Sequence, residues 1–178
     1  MSTTQSVTTN SNNTGEKAMS SGDETSVTKS VVVNVPIAHA FEVFTNRFNL
    51  WWPKEHHIGK ADLKEAVMET REGGRWYERC VDGTECEWGK VLAWSPPNHV
   101  ALSWHLNGAF AYDADPNHAS RVDVRFTDEG NGKTRVVLEH SHLDRAVEWE
   151  KLKQGIAGEG GWSGLLKLFA AKAQELAA

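Results

Sequence analysis

Residues Gly73 to Leu106 constrain the fold more than any other stretch, because they read as three antiparallel strands in a row. The expected strands are Arg75 to Val81, Thr84 to Trp94 and His99 to Leu106. Asp82-Gly83 predicts a tight hairpin turn, since both residues tolerate positive φ. Pro96-Pro97 ends the second strand by removing two backbone donors in succession. In the third, Val100, Leu102, Trp104 and Leu106 share one face, and Ala101, Ser103 and His105 share the other. That period of two belongs to a sheet with one buried side. Trp76, Trp88, Trp94 and Trp104 all lie in these strands, so the buried side is rich in large rings.

The flanks extend the pattern in both directions. Val27, Val31, Val33 and Val35 alternate along a first strand that Pro36 stops. Ile37, Ala40, Phe41 and Phe44 then recur at helical spacing, and Pro53 breaks a second short helix containing Phe48, Trp51 and Trp52. His56-His57 and Gly59 lead into a strand at about Ala61 to Thr70. Asn107 to Ala119 is a long loop of the kind that closes over binding sites, with Phe110 and Tyr112 as its apolar rings. Two more strands follow, one carrying Val122, Val124 and Phe126, the other running from Thr134 to His142 with Val136, Leu138, His140 and His142 on its buried face. Asp144 suits an N-cap for a helix containing Trp149 and Leu152. After several glycines, a longer helix from Trp162 sets Leu165, Leu166, Phe169, Ala173 and Leu176 on one stripe. Strand, two short helices, six strands and a long helix make an α+β fold with an antiparallel sheet of about seven strands. A curved sheet wrapped on one helix leaves a gap where an apolar pocket forms.

Composition narrows the function. A formal charge of -5 over 178 residues argues against a nucleic-acid partner. No apolar run reaches the roughly 20 residues of a membrane span, and no signal peptide is evident, so a cytoplasmic location is expected by default. Residues 1–24 are nearly all small and polar and are expected to be a disordered tail, leaving 25–178 as one domain. Cys80 and Cys86 flank the hairpin turn; a two-residue turn leaves the thiols diagonal and a three-residue loop could bring them opposite, and in a cytosolic chain they are expected to be reduced.

These features resemble the START-like helix-grip superfamily, also called SRPBCC, in its bacterial branch related to the activator of the Hsp-90 ATPase. The matching residues are Val35-Pro36 through Phe41 and Phe44, Trp51-Trp52-Pro53, Arg71 through Glu78, Asp82-Gly83 and Trp88-Gly89-x-Val91. Pro96-Pro97, Trp104, Ser120-x-Val122, Thr134-x-Val136 through His140 and Gly160-Gly161-Trp162 complete the match, which runs over about residues 27–175. The resemblance implies a cavity for a hydrophobic ligand, in a group that includes lipid carriers, polyketide cyclases, hormone receptors and chaperone co-factors.

The expected ligand-binding residues are Trp51, Trp52, Trp76, Trp104, Phe110, Tyr112, His140, His142, Trp162 and Leu166. Indole rings in this set either stack on a flat ligand or simply fill the core. His140 and His142 are the candidate catalytic residues, as anchors or an acid–base pair, although structural hydrogen bonding is the more ordinary role of buried histidines. With His57 or His105 they contain metal-ligand atoms, but no carboxylate or cysteine stands at a recognisable interval, so neither metal nor cofactor is expected. Glu85 and Glu87 read as a solvated face, and Gly73-Gly74 as a close backbone approach. The leading expectation is a binding protein for a small hydrophobic or aromatic molecule. A cyclase- or hydrolase-type enzyme with a histidine base, a chaperone-ATPase partner and a homodimer are the alternatives.

Overall fold

The computed structural model describes residues 24–178, so the tail expectation lies, apart from Glu24, outside the described residues. The chain runs β1 (Val27–Val33), α1 (Ile37–Phe44), α2 (Phe48–Trp51), β2 (Leu63–Met68), β3 (Arg75–Cys80), β4 (Glu85–Ser95), β5 (His99–Trp104), β6 (Ser120–Gly130), β7 (Lys133–Ser141), α3 (Trp149–Ala157) and α4 (Gly164–Ala177). All seven strands form one antiparallel sheet in the order β1-β7-β6-β5-β4-β3-β2. The helices α1 and α2 fill the crossover from one sheet edge to the other, and α4 crosses the concave face.

Bulges curl the sheet. The register slips by one residue between Trp76 and Tyr77 against β4, and again between Val91 and Ala93 against β5. Each extra residue bends its strand and increases the local twist. The first slip lets Trp76 and Trp88 both reach the concave side, where their rings lie 5.2 Å apart. Gly89 is the adjacent necessity: a Cβ there would stand 1.9 Å from the Ser103 carbonyl oxygen and 2.6 Å from Trp76 Nε1. That approach lets the Trp76 indole N–H donate to Ser103 O at 2.8 Å.

The concave side is closed by α4. Phe169 is fully buried against Phe44 and Trp51, with ring centroids 5.2 and 5.7 Å apart. His39 Nε2 donates to the Ala173 carbonyl at 2.9 Å, tying α1 to α4.

Several boundaries differ from the sequence expectation. Val35 is buried but lies beyond β1, in the turn whose carbonyl accepts from Thr134 Oγ1 at 2.8 Å. Asp144 is not a helix cap; it sits in a single 3₁₀ turn, and α3 begins after Glu148, which takes the left-handed conformation. The last helix starts at Gly164, because the chain kinks at Gly161 before it. In the β3–β4 hairpin only Gly83 has positive φ, +87°, while the Asp82 carboxylate accepts from Thr84 N and Oγ1. Glu78, not Cys80, stands opposite Cys86, so the three-residue loop leaves the thiols on a diagonal. Both are free; burial, then the Glu78 carboxylate, push the Cys86 thiol up, away from reactivity at neutral pH.

Candidate functional site

Between the sheet, the 52–58 segment and the α3–α4 junction lies a cavity of about 450 Å³. This is within the usual range of small-molecule sites. Its floor is Trp88 from β4 and Trp104 from the end of β5, with Leu106 just beyond. Ile156, Gly160, Trp162 and Leu165 form the helical wall, and Trp52 and Ile58 the side. Glu55, His56 and His57 supply polar atoms, and Phe110 reaches in from the loop across Gly155. Phe110 is 42% exposed and holds φ at 55°, so its ring is a cover rather than core.

The tryptophans form a continuous cluster around this space. Ring centroids are 5.2 Å apart for Trp52 and Trp88, and 5.6 Å for Trp104 and Trp162. Most of their N–H groups are committed: Trp52 donates to His56 O at 2.9 Å, and Trp162 to His140 Nδ1 at 3.1 Å. Trp104 is the exception, for its buried Nε1 has no partner among the described residues. A buried donor left unpaired costs about 1–3 kcal/mol.

Of the sequence-predicted residues, the structure brings Trp52, Trp104, Phe110 and Trp162 to the cavity. Trp51 and Trp76 are packed in the core instead, their N–H groups bonded to the backbone carbonyls of Val43 and Ser103. Leu166 does not line the cavity, whereas its neighbour Leu165 does. Tyr112 is 46% exposed, bridged to Leu106 through backbone and tilted over His105 at 5.7 Å. His142 does not point inward: the strand ends at Ser141, and His142 is exposed in the left-handed conformation.

His140 is inward but enclosed. The indole N–H of Trp162 can only donate, so Nδ1 is its acceptor, and the ring proton sits on Nε2, which donates to Ser120 Oγ at 2.8 Å. Complete burial lowers its pKa to about 3. Neutral, fully bonded and not on the cavity wall, His140 is a structural pin for Trp162 rather than a base. Among the described residues no group of three or more His, Cys, Asp or Glu is placed to hold a metal ion.

His57, which the sequence offers only as a metal-ligand type, lines the cavity beside Ile58. A short aperiodic segment gives no face to read, so only the residue types before Gly59 signalled it. Trp88 was legible from alternation as an inward ring but was not separated from the core. No helix among the described residues is long and apolar enough to cross a membrane.

The family model described as "Activator of Hsp90 ATPase homolog 1-like protein" matches residues 34–173. A solved structure described as "An anthrahydroquino-Gama-pyrone synthase Txn09 complexed with SUM" is 38% identical, over 83% of this chain and 96% of that one, with a TM-score of 0.59. CalC, a self-sacrificing resistance protein from Micromonospora echinospora, is 33% identical over 85% of this chain and 96% of its own, with a TM-score of 0.61. Protein NE0264 from Nitrosomonas europaea, at 14% identity over 86% of this chain and 97% of that one, with a TM-score of 0.62, shares the fold alone. No curated protein matches the chain. With the curled seven-stranded sheet gripping α4 and a family match across most of the sequence, the chain belongs to the activator of Hsp90 ATPase homolog 1-like family within the helix-grip fold.

Proposed function

We infer that this protein binds a flat, aromatic small molecule in the tryptophan-walled cavity, with an oxygen of the ligand accepting from Trp104 Nε1. The observation that carries the reading is one mostly apolar cavity walled by the rings of Trp52, Trp88, Trp104 and Trp162; the buried indole nitrogen of Trp104 has no protein partner among the described residues. Trp52, Trp88 and Trp162 offer ring faces and edges around it, which favour another π system over a flexible alkyl chain. The description of Txn09 supports the choice, since an anthrahydroquino-pyrone is an oxygenated polycyclic aromatic.

Quenching of tryptophan fluorescence by 1,4-dihydroxyanthraquinone is the direct test, with anthracene as the oxygen-free comparison. Saturable quenching is expected for both, tighter for the oxygenated ring. Trp104→Phe keeps an apolar ring while removing the donor; it is expected to weaken the anthraquinone about fivefold to tenfold and leave anthracene little changed. Absence of saturable quenching by either compound overturns the reading.

A further inference from the structure

The β3–β4 hairpin carries a pair of thiols that the cavity itself does not use. Glu78 and Cys80 alternate onto one side of β3, and Cys86 stands opposite Glu78 on β4, so all three share that side. Gly59 packs onto both thiols: a Cβ there would lie 2.4 Å from Cys80 Sγ and 3.5 Å from Cys86 Sγ. The two sulfurs therefore rest against one backbone position. Burial, then the Glu78 carboxylate and the Cys80 thiol, hold the proton on Cys86, and a hydrogen bond between the two thiols is one of those influences. Access differs between them. Cys80 is fully buried and Cys86 half-buried, so a reagent reaches Cys86, and Cys80 is reached from Cys86 alone.

The segment lying on this pair is a wall of the cavity. Glu78, wholly buried, accepts from Ile58 N at 2.6 Å and Gly59 N at 3.0 Å through its Oε1. His57 Nδ1 lies 3.0 Å from the Gly59 carbonyl oxygen, and His57 and Ile58 line the cavity with Trp52 and Trp88. A segment tied in this way moves with the hairpin beneath it. Diagonal neighbours in an antiparallel pair lie about 7–8 Å apart between α-carbons, whereas disulfides ordinarily accept at most about 6.8 Å. Closing the pair thus requires the strands to shift, and Gly59 has no slack against either sulfur.

We propose that Cys80 and Cys86 are a thiol redox couple, closed by a small-molecule disulfide, whose state is transmitted to the cavity wall through Gly59. In the first step the Cys86 thiolate attacks one sulfur of the reagent; that S–S bond breaks, and the released thiolate takes up a proton. The Cys80 thiolate then attacks Cys86 Sγ in the mixed disulfide, and the second reagent thiolate leaves and is protonated. Two protein thiols have given up two electrons and two protons, and one disulfide has become two thiols. Because the proton is held on Cys86, the first step accelerates as pH rises.

Bis(2-hydroxyethyl) disulfide at about pH 9 is the test reagent, read by intact mass and by thiol titration after unfolding. The wild type is expected to lose two hydrogens in mass and both titratable thiols, with no second chain attached. Cys80→Ser is expected to stop at the mixed disulfide on Cys86, and Cys86→Ser to stay unmodified over the same time. The readouts at the cavity are the emission of Trp52 and Trp88 and, resting on the ligand reading above, the affinity for 1,4-dihydroxyanthraquinone. Closure is expected to shift the emission and to change the affinity at least about threefold, both reversed by a reductant, while Cys86→Ser given the same treatment keeps its starting values. A mixed disulfide that persists in the wild type, a chain-to-chain disulfide, or a closed pair with unchanged affinity overturns the proposal and leaves the ligand reading standing. If the anthraquinone binds neither form, the ligand reading falls by itself; a closed pair with shifted emission then upholds the redox couple, and unchanged emission overturns it.

Discussion

Acidification from about pH 6.5 to about pH 4.5 is expected to remove roughly 2–3 kcal/mol of folding free energy through His140 alone. The direction follows from where the proton is more welcome. In the unfolded chain the imidazole titrates near its ordinary value of about 6.5, whereas in the folded protein burial holds it down to about 3. Stability from this group is therefore complete above the unfolded value and is lost as pH falls towards the folded one. Chemistry reinforces burial, because protonating Nδ1 would set its N–H against the Trp162 indole N–H. His118 runs the other way: hydrogen bonding to Asp113 raises its pKa, so its contribution is present at low pH and lost as pH rises. That ring is exposed and contributes little. Chemical denaturation at several pH values in this window, above the range where most carboxylates titrate, measures the slope. His140→Gln should be less stable at neutral pH yet show a much flatter pH dependence. An equally steep slope in that variant would assign the acid sensitivity to other groups.

The same enclosure explains how much of the site was legible in sequence. Strand alternation decides which side of a sheet a residue faces, and it placed Trp104 and His140 on the concave side correctly. Alternation says nothing about position along the strand relative to the helix above, and this separates Trp104, on the cavity wall, from His140, locked beneath Trp162. It fails outright where the strand stops: His142 continues the pattern in sequence, but the chain has already turned into the left-handed region. Helical spacing sets Leu165 and Leu166 on one stripe, and of the two only Leu165 lines the cavity. Fold class needed less. Valine alternation marks β1, and the Asp82-Gly83 turn and the Pro36, Pro53 and Pro96-Pro97 stops each fall at an element boundary in the structure. Sites join residues distant in sequence, and here the loop at His57 carries no period at all.

Gly89→Ala is expected to cost about 3 kcal/mol or more of stability, the largest effect of adding one methyl group to the sheet. The added carbon would meet the Ser103 carbonyl oxygen at 1.9 Å, and that atom belongs to the backbone of the neighbouring strand. A flexible side chain could swing aside; β5 can yield only by moving away from β4, against its pairing with β6 on the other side. Separation of the strands would also stretch the Trp76 Nε1–Ser103 O bond of 2.8 Å and leave a second indole N–H unpaired near the cavity. Gly83→Ala is the measure of what conformational strain alone does: its φ is +87° but nothing lies within 4 Å of a new Cβ, so about 1 kcal/mol is expected. Urea denaturation of the two variants should therefore differ by at least about 2 kcal/mol, with Gly89→Ala the weaker. Equal losses would mean that the β4–β5 contact at Ser103 can relax, and the bulge at Trp88 would then no longer fix the position of the cavity floor.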